Sequence, residues 1–148
     1  MKLRLIDTIE RIDPHRGIRG VKVPSFEEYM MRSAMGYAEQ LPESLLLGSM
    51  VQLASWLVVV SSEFSQIALP REIEEIQFAS AVGPGQRVVL DLQVRGLTCD
   101  GTAYVGGRLV ARLNKLQLAL HPLADFENPA DLRILFSEIH RPSGEASA

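Results

Sequence analysis

Residues 45–60 read LLLGSMVQLASWLVVV, an apolar run inside a longer stretch that carries no charge between Glu43 and Glu63. A transmembrane helix needs about 20 predominantly apolar residues, so the run is slightly short for a membrane span. It also contains small and polar residues, namely Gly48, Ser49, Gln52 and Ser55. A helix that is apolar nearly all round is typical of a protein core. The run therefore predicts one long buried helix and no membrane span.

The composition is that of one ordinary globular domain. The chain has 148 residues, of which 47% are hydrophobic and 22% charged, and its net charge is −3. This mixed, slightly acidic balance argues against a nucleic-acid partner, which usually needs a basic face. We expect a single domain over residues 1–141, with a core at about 3–120, a C-terminal helix at about 128–140 and a flexible tail at 142–148.

Cysteine and histidine usage predicts neither a metal site nor another cofactor. Cys99 is the single cysteine, so no internal disulfide can form, which fits a reducing compartment. The three histidines, His15, His121 and His140, do not have metal-ligand spacing. Charged residues interrupt the opening MKLRLID too early for a secretory signal, so a cytoplasmic location is expected.

Strand patterns lie on both sides of the apolar run. Lys2–Ile12 and Ile18–Val23 predict a hairpin whose turn contains Pro14 and Gly17. After a break at Pro70, three further segments have strand character: Glu72–Val82, Arg87–Arg95 and Thr102–Leu120. Turns are predicted at Gly83-Pro84-Gly85 and Asp100-Gly101, and Gly106-Gly107 either breaks the last segment or forms a hairpin.

Two details refine this pattern. Apolar residues change face near Asn114, which indicates a β-bulge. Asn128-Pro129 predicts a short helix extending to about Ile139. Segregated strand runs exclude a repeating parallel α/β fold. A helix that is apolar nearly all round has to be enclosed, and a strongly curved antiparallel sheet can do this. The predicted class is α+β, with the sheet wrapped around one long helix.

Residues 42–52 read PESLLLGSMVQ and place Pro42 and Gln52 ten positions apart at the start of the predicted helix. This segment resembles that of the FabZ-type 3-hydroxyacyl-ACP dehydratases of the hot-dog superfamily, in which a loop motif H-F-P-G-x-P-x-M-P-G precedes V-L-x-x-E-A-x-A-Q on the central helix. Pro42 and Gln52 fall on the motif's proline and glutamine with identical spacing. Phe78–Gln86 and Gly106–Ala111 match two further family segments, and the resemblance covers roughly Leu3–Leu120. It implies the hot-dog fold and acyl-thioester chemistry in fatty acid biosynthesis.

The sequence departs from this family at both catalytic positions. The family's loop histidine falls at about Ala34, and its helix carboxylate falls on Gly48. These two groups are the acid and base of the hydro-lyase reaction, and each such group typically contributes about 10²–10⁴-fold in rate. Tyr37 and Glu39 are substitute candidates, because a loop cannot be aligned reliably without gaps. The simpler interpretation is a half-buried tyrosine and a solvated carboxylate.

A small-polar stripe marks the predicted helix. Gly48, Gln52 and Ser55 are spaced i, i+4 and i+7 and therefore share one face. They could line a substrate tunnel, with Gln52 hydrogen-bonding a thioester or a pantetheine amide. They could instead allow another backbone to approach closely, with Gln52 satisfied by protein groups. Both interpretations stay open, and the second is slightly favoured.

The function predicted from the resemblance is the handling of acyl-ACP or acyl-CoA thioesters by a non-catalytic or altered homologue. The alternatives are an active dehydratase or isomerase with a displaced acid/base pair, a hot-dog thioesterase, and an interaction module without an acyl ligand. The resemblance also implies a homodimer, or a heteromer with an active paralogue. Arg16, Arg32 and Arg71 could meet an acidic carrier protein, although scattered surface charges explain them more simply.

Overall fold

A computed structural model of the chain describes residues 4–25 and 40–142. In chain order the elements are β1 Thr8–Asp13, β2 Gly17–Lys22, α1 Glu43–Ser61, β3 Gln66–Phe78, β4 Val88–Arg95, β5 Thr98–Val105, β6 Arg108–Pro122, a 3₁₀ turn Leu123–Asp125, and α2 Pro129–Ile139. The predicted tail lies outside the described residues apart from Pro142.

The strands form one antiparallel sheet in the order β1-β2-β4-β5-β6-β3. Three strands separate β2 from β3, which in a flat sheet would place them about 19 Å apart. Both nevertheless contact α1: a Cβ on Gly20 of β2 would lie 2.8 Å from Leu53 Cδ1, and Ser55 Oγ lies 2.7 Å from the carbonyl oxygen of Ala68 on β3. The sheet therefore curves around the helix, and the predicted α+β arrangement is confirmed.

The helix α1 supplies the centre of the core. Its fully buried side chains include Met50, Leu53, Trp56 and Leu57. By length and composition alone α1 could cross a membrane, and half of its apolar window is buried inside the protein. The apolar residues that the sequence places around the whole helix thus pack against the concave face of the sheet and against α2.

The strand β3 begins earlier than the sequence predicts. It runs from Gln66 straight through Pro70, where the sequence analysis expected a break, and it ends at Phe78 rather than Val82. The physical reason is that β3 lies at the edge of the sheet, where a proline need not donate a ladder hydrogen bond. The register against β6 also shifts between Pro70 and Glu72, so a bulge accommodates the ring.

The predicted turn at Asp100-Gly101 is wrong, because both residues lie inside β5. The chain instead turns at Gly96, whose φ of 62° lies in the left-handed region. Gly101 is needed for packing. A Cβ built on it would lie 2.2 Å from Leu92 Cδ2 and 3.1 Å from Met50 Cε, so only glycine lets β5 pass this close to its neighbours.

Several local predictions are confirmed. β1 and β2 form the expected hairpin, and Gly106-Gly107 joins β5 to β6 with both residues at positive φ. The face change near Asn114 is a bulge. Cys99 pairs with Leu116 and Gly101 with Leu113, so Asn114 and Lys115 of β6 stand opposite the single residue Asp100 of β5, and β6 has one extra residue.

The predicted C-terminal helix is confirmed as α2. The Asn128 side chain accepts hydrogen bonds from the backbone N–H groups of Ala130 and Asp131 and so caps the helix. Phe136 packs against Trp56 of α1 with ring centroids 5.7 Å apart. Directly after α2, the backbone N–H of Arg141 donates to the carbonyl of Ile9 in β1. The helix is thus tied to both α1 and the sheet.

Candidate functional site

The site predicted from the motif spacing lies at the N-terminal end of α1. Pro42 has an extended backbone and precedes the first helical residue, Glu43, while its carbonyl accepts from the backbone N–H of Leu46 at 3.2 Å. The backbone N–H of Leu41 donates to the carbonyl of Val82 at 2.8 Å. This bond fixes the start of the helix against the connection between β3 and β4.

A cavity of about 260 Å³ opens between these two segments. It is lined by Gln40, Leu41, Glu43 and Leu46 on the helix side and by residues 78–82 on the other. Glu43 is the carboxylate of this lining, and it is exposed to solvent. The hydroxyl of Ser80 donates a hydrogen bond to the carbonyl oxygen of Leu109 at 2.8 Å. This bond holds the cavity wall against β6.

The segment before β1 covers the Gly48 position of α1. A Cβ built on Gly48 would lie 3.1 Å from Leu5 Cδ1, a contact that requires Leu5 to give way. Gln52, one turn further along, accepts the backbone N–H of Leu5 at its Oε1 atom at 2.9 Å. Gly48 is therefore the position where a neighbouring segment comes close to the helix, and Gln52 holds that segment by hydrogen bonding.

Ser55, the third residue of the stripe, is buried and reaches the sheet. Its hydroxyl donates to the carbonyl of Ala68 at 2.7 Å and so ties α1 to the edge strand β3. Gly48, Gln52 and Ser55 all contact protein groups in this structure, as expected of the close-approach interpretation. Whether they also line a substrate tunnel stays a prediction.

The remaining candidates occupy scattered positions. Ala34, Tyr37 and Glu39, and with them Arg32, lie outside the described residues. His15 is exposed in the β1–β2 turn at a φ of 65°, and Glu63 is exposed just after α1. The described residues thus bring no histidine to the N-terminal end of α1, where the family's dyad would lie.

Sequence reasoning missed Lys22, which is only 3% exposed. It lies at the end of β2, on the same face as Ile18 and Gly20, and it pairs with the buried Val88 of β4. Because Gly20 contacts α1, this is the concave face of the sheet. The sequence could have revealed it, because Lys22 shares the alternating positions of Ile18 and Gly20, and a lysine at a buried position of a strand is unusual.

The single cysteine is unsuited to nucleophilic chemistry. Cys99 is fully buried in β5, and burial, assisted by the charge of Asp100, raises the pKa of its thiol from 9.0 to about 12. The thiol therefore stays protonated near neutral pH, whereas the thiolate is the reactive form. Within residues 4–25 and 40–142, no three His, Cys, Asp or Glu side chains come together as a metal site.

The fold is similar to that of several proteins of known structure. No protein-family model matches the sequence, and no curated protein matches it. Among solved structures, a hot-dog-like protein from Thermanaerovibrio acidaminovorans is 15% identical with a TM-score of 0.61, over 84% of this chain and 91% of that chain. The chain has the hot-dog fold.

Two further structures agree with this fold and carry functional names of their own. The fluoroacetyl-CoA thioesterase FlK is 15% identical with a TM-score of 0.62, over 84% of this hot-dog chain and 98% of that chain. A chain of the dehydratase heterocomplex ApeI:P from Xenorhabdus doucetiae is 12% identical with a TM-score of 0.59, over 74% of this chain and 92% of that chain. At these identities the likeness establishes the fold alone.

Proposed function

We propose that this hot-dog chain binds acyl thioesters, carried by acyl carrier protein or by CoA, and lacks a standard acid/base dyad of its own. It would then be a non-catalytic or altered relative of the FabZ-type dehydratases. Two of its structural neighbours, a fluoroacetyl-CoA thioesterase and a dehydratase heterocomplex, are named for acyl-thioester or dehydratase function. The Pro42-to-Gln52 spacing favours the dehydratase branch.

The observation that carries the proposal is the environment of Gly48. The resemblance assigns the family's helix carboxylate to this position, where the chain has no side chain and Leu5 lies 3.1 Å from the place of a Cβ. A longer side chain there would collide with a segment that Gln52 holds through a hydrogen bond. This close approach supports a helix without the carboxylate, and acid/base catalysis would lose about 10²–10⁴-fold per missing group.

We further propose that the chain works in a dimer, with itself or with an active paralogue. The edge strand β3 has only β6 as a strand neighbour in the described part of the chain, so its outer edge can pair with another strand. The named heterocomplex among the structural neighbours favours a partner that supplies the missing groups. Light scattering of the purified chain, alone and mixed with an intact-dyad paralogue, measures which dimer forms.

The decisive experiment separates binding from turnover. The purified chain is titrated with a non-hydrolysable acyl-CoA thioether and incubated with 3-hydroxyacyl-ACP, crotonyl-CoA and acyl-CoA, while dehydration, hydration and thiol release are followed. Saturable binding without turnover is expected. Turnover that Glu39→Gln abolishes and Glu43→Gln preserves would contradict the proposal and establish a displaced acid/base arrangement.

A second candidate function is thioester hydrolysis, which the structural likeness to a thioesterase favours. The same assay distinguishes it, because hydrolysis releases free CoA without forming an enoyl product. Release of CoA at a rate above the uncatalysed background would show that the chain is a thioesterase and not only a thioester-binding protein. Failure to bind any thioester analogue would leave an interaction module that uses the fold alone.

A further inference from the structure

A groove of about 660 Å³ lies on the outer face of the sheet, where the β1–β2 hairpin meets the end of β4. One cross-strand row over this region consists of Asp13, Gly17 and Gln93. Gly17 has no side chain, so the row has a gap at its centre. The arginines that line the groove are Arg11, Arg16 and Arg95.

Positive charge is in excess around this groove. Asp91 is the shared counter-ion of two arginines, with Arg19 Nη2 2.8 Å and Arg11 Nη2 4.0 Å from its Oδ2 atom. Arg11 and Arg19 also stand directly opposite each other in the β1–β2 pair, where like charges repel. Adding Arg16 and Arg95 gives four arginines against Asp13 and Asp91, a local charge of +2 in a chain whose net charge is −3.

Two of these arginine side chains have no polar partner within the described part of the chain. Among residues 4–25 and 40–142, the guanidinium groups of Arg16 and Arg95 make no ion pair or hydrogen bond. Within the described part of the chain, Arg16 makes polar contacts through its backbone alone, which accepts from the N–H of Val94 and donates to the carbonyl of Asp13. Both side chains are exposed at the rim of the groove, where they can turn toward a ligand at little structural cost.

The groove lies far from the candidate thioester site. The β1–β2 turn meets the C-terminal end of α1, where the backbone N–H of His15 donates to Ser61 Oγ at 2.9 Å. The candidate site lies at the other end of this 19-residue helix, about 27 Å away at 1.5 Å per residue. The groove is therefore separate from the candidate thioester site.

We propose that this groove binds a phosphorylated small molecule, with a diphosphate as the recognised group. The planar guanidinium fork matches phosphate oxygens in pairs, and hydrogen bonds between two charged groups are the strong ones. A concave site within about 300–1,000 Å³ has the size of a small-molecule site. Arg11, Arg16 and Arg95, which line the groove, supply the guanidinium groups that bind the diphosphate.

The test is a calorimetric titration of the full chain with inorganic pyrophosphate at 0.15 M ionic strength, about the physiological value. Saturable 1:1 binding is expected. The Arg16→Gln/Arg95→Gln variant should bind about ten-fold more weakly or worse, since two charge-assisted contacts are lost. Arg112→Gln is the matched control, because it removes an exposed arginine from the same face of the sheet two strands away, and its affinity should stay within about two-fold.

Further arms identify the source of the diphosphate. ADP and CoA are titrated in parallel: ADP binding that the double variant weakens assigns a nucleoside diphosphate to the groove, and CoA binding that it leaves unchanged shows that CoA binds elsewhere. In the unaltered chain, pyrophosphate should also protect Arg16 and Arg95 from phenylglyoxal, as read by mass spectrometry. Absence of saturable binding, an equal loss in Arg112→Gln, or tighter binding of a glutamate-rich peptide than of pyrophosphate would overturn the proposal. The pyrophosphate results leave the proposed thioester binding untouched, because that binding is tested with the acyl-CoA thioether.

Discussion

Replacing Gly101 by alanine is a sharp test of how closely the sheet wraps the helix. A Cβ at this position would lie 2.2 Å from Leu92 Cδ2, 3.1 Å from Met50 Cε and 3.3 Å from the carbonyl oxygen of Asp91. Leu92 and Met50 are both fully buried, so neither side chain can move into solvent. Leu92 has to leave its rotamer, or β5 has to lift away from α1.

The magnitude follows from two opposing effects. Overpacking a core costs about 1–3 kcal/mol. Replacing glycine also lowers the conformational entropy of the unfolded chain, which stabilises the folded state by about 0.4–1 kcal/mol. We expect Gly101→Ala to lower the free energy of unfolding by about 1–2 kcal/mol and the melting temperature by about 2–8 °C for a chain of this size.

Urea unfolding measures this directly, because Trp56 is the single tryptophan and is buried against α2. Gly83→Ala is the control. The nearest atom to a Cβ there is the flexible Gln86 Oε1 at 3.5 Å, so its stability should change by no more than about 0.5 kcal/mol. In a Leu92→Val background the Gly101→Ala penalty should fall by at least half. Equal stabilities of Gly101→Ala and Gly83→Ala would refute the close-packing argument.

Other substitutions test individual contacts. Ser55→Ala removes the 2.7 Å hydrogen bond to β3 and should lower the free energy of unfolding in urea by about 1–2 kcal/mol, whereas Ser137→Ala on the exposed face of α2 should be nearly neutral. Asn128→Ala removes the cap of α2 and should cost about 1 kcal/mol by thermal unfolding; an unchanged melting temperature would contradict the capping role. Cys99, with a pKa raised to about 12, should resist a thiol reagent at pH 8 until denaturant exposes it, and rapid native labelling would show that β5 opens.

The sequence predicted the features that depend on local pattern. The apolar run around Trp56 predicted α1, and the face change at Asn114 predicted the bulge that the structure contains. Two of its errors concern glycine and proline, whose structural roles depend on neighbours distant in sequence. Pro70 was interpreted as a strand break because its place on the edge of the sheet is a tertiary property. Gly101 was interpreted as a turn residue, although its purpose is clearance from Leu92.

The candidate site was less accessible from the sequence. The Pro42-to-Gln52 spacing located the N-terminal end of α1 correctly, and the shared face of Gly48 and Gln52 is real. The contact of both residues with Leu5 was not predictable, because it joins positions more than 40 residues apart in the chain. The arginine groove was missed for the same reason: Arg11, Arg16 and Arg95 become one cluster only when β1, β2 and β4 pair.

The hydrogen bond from Ser55 to Ala68 couples two parts of the molecule with different tasks. Ser55 belongs to the helix whose first turns form the candidate site, while Ala68 belongs to β3, whose outer edge has no strand neighbour among the described residues. A partner strand that straightens or tilts β3 would pull on the helix through this bond. Assembly and ligand affinity would then be thermodynamically linked, so thioester binding would depend on protein concentration, and ligand would in turn shift the association equilibrium.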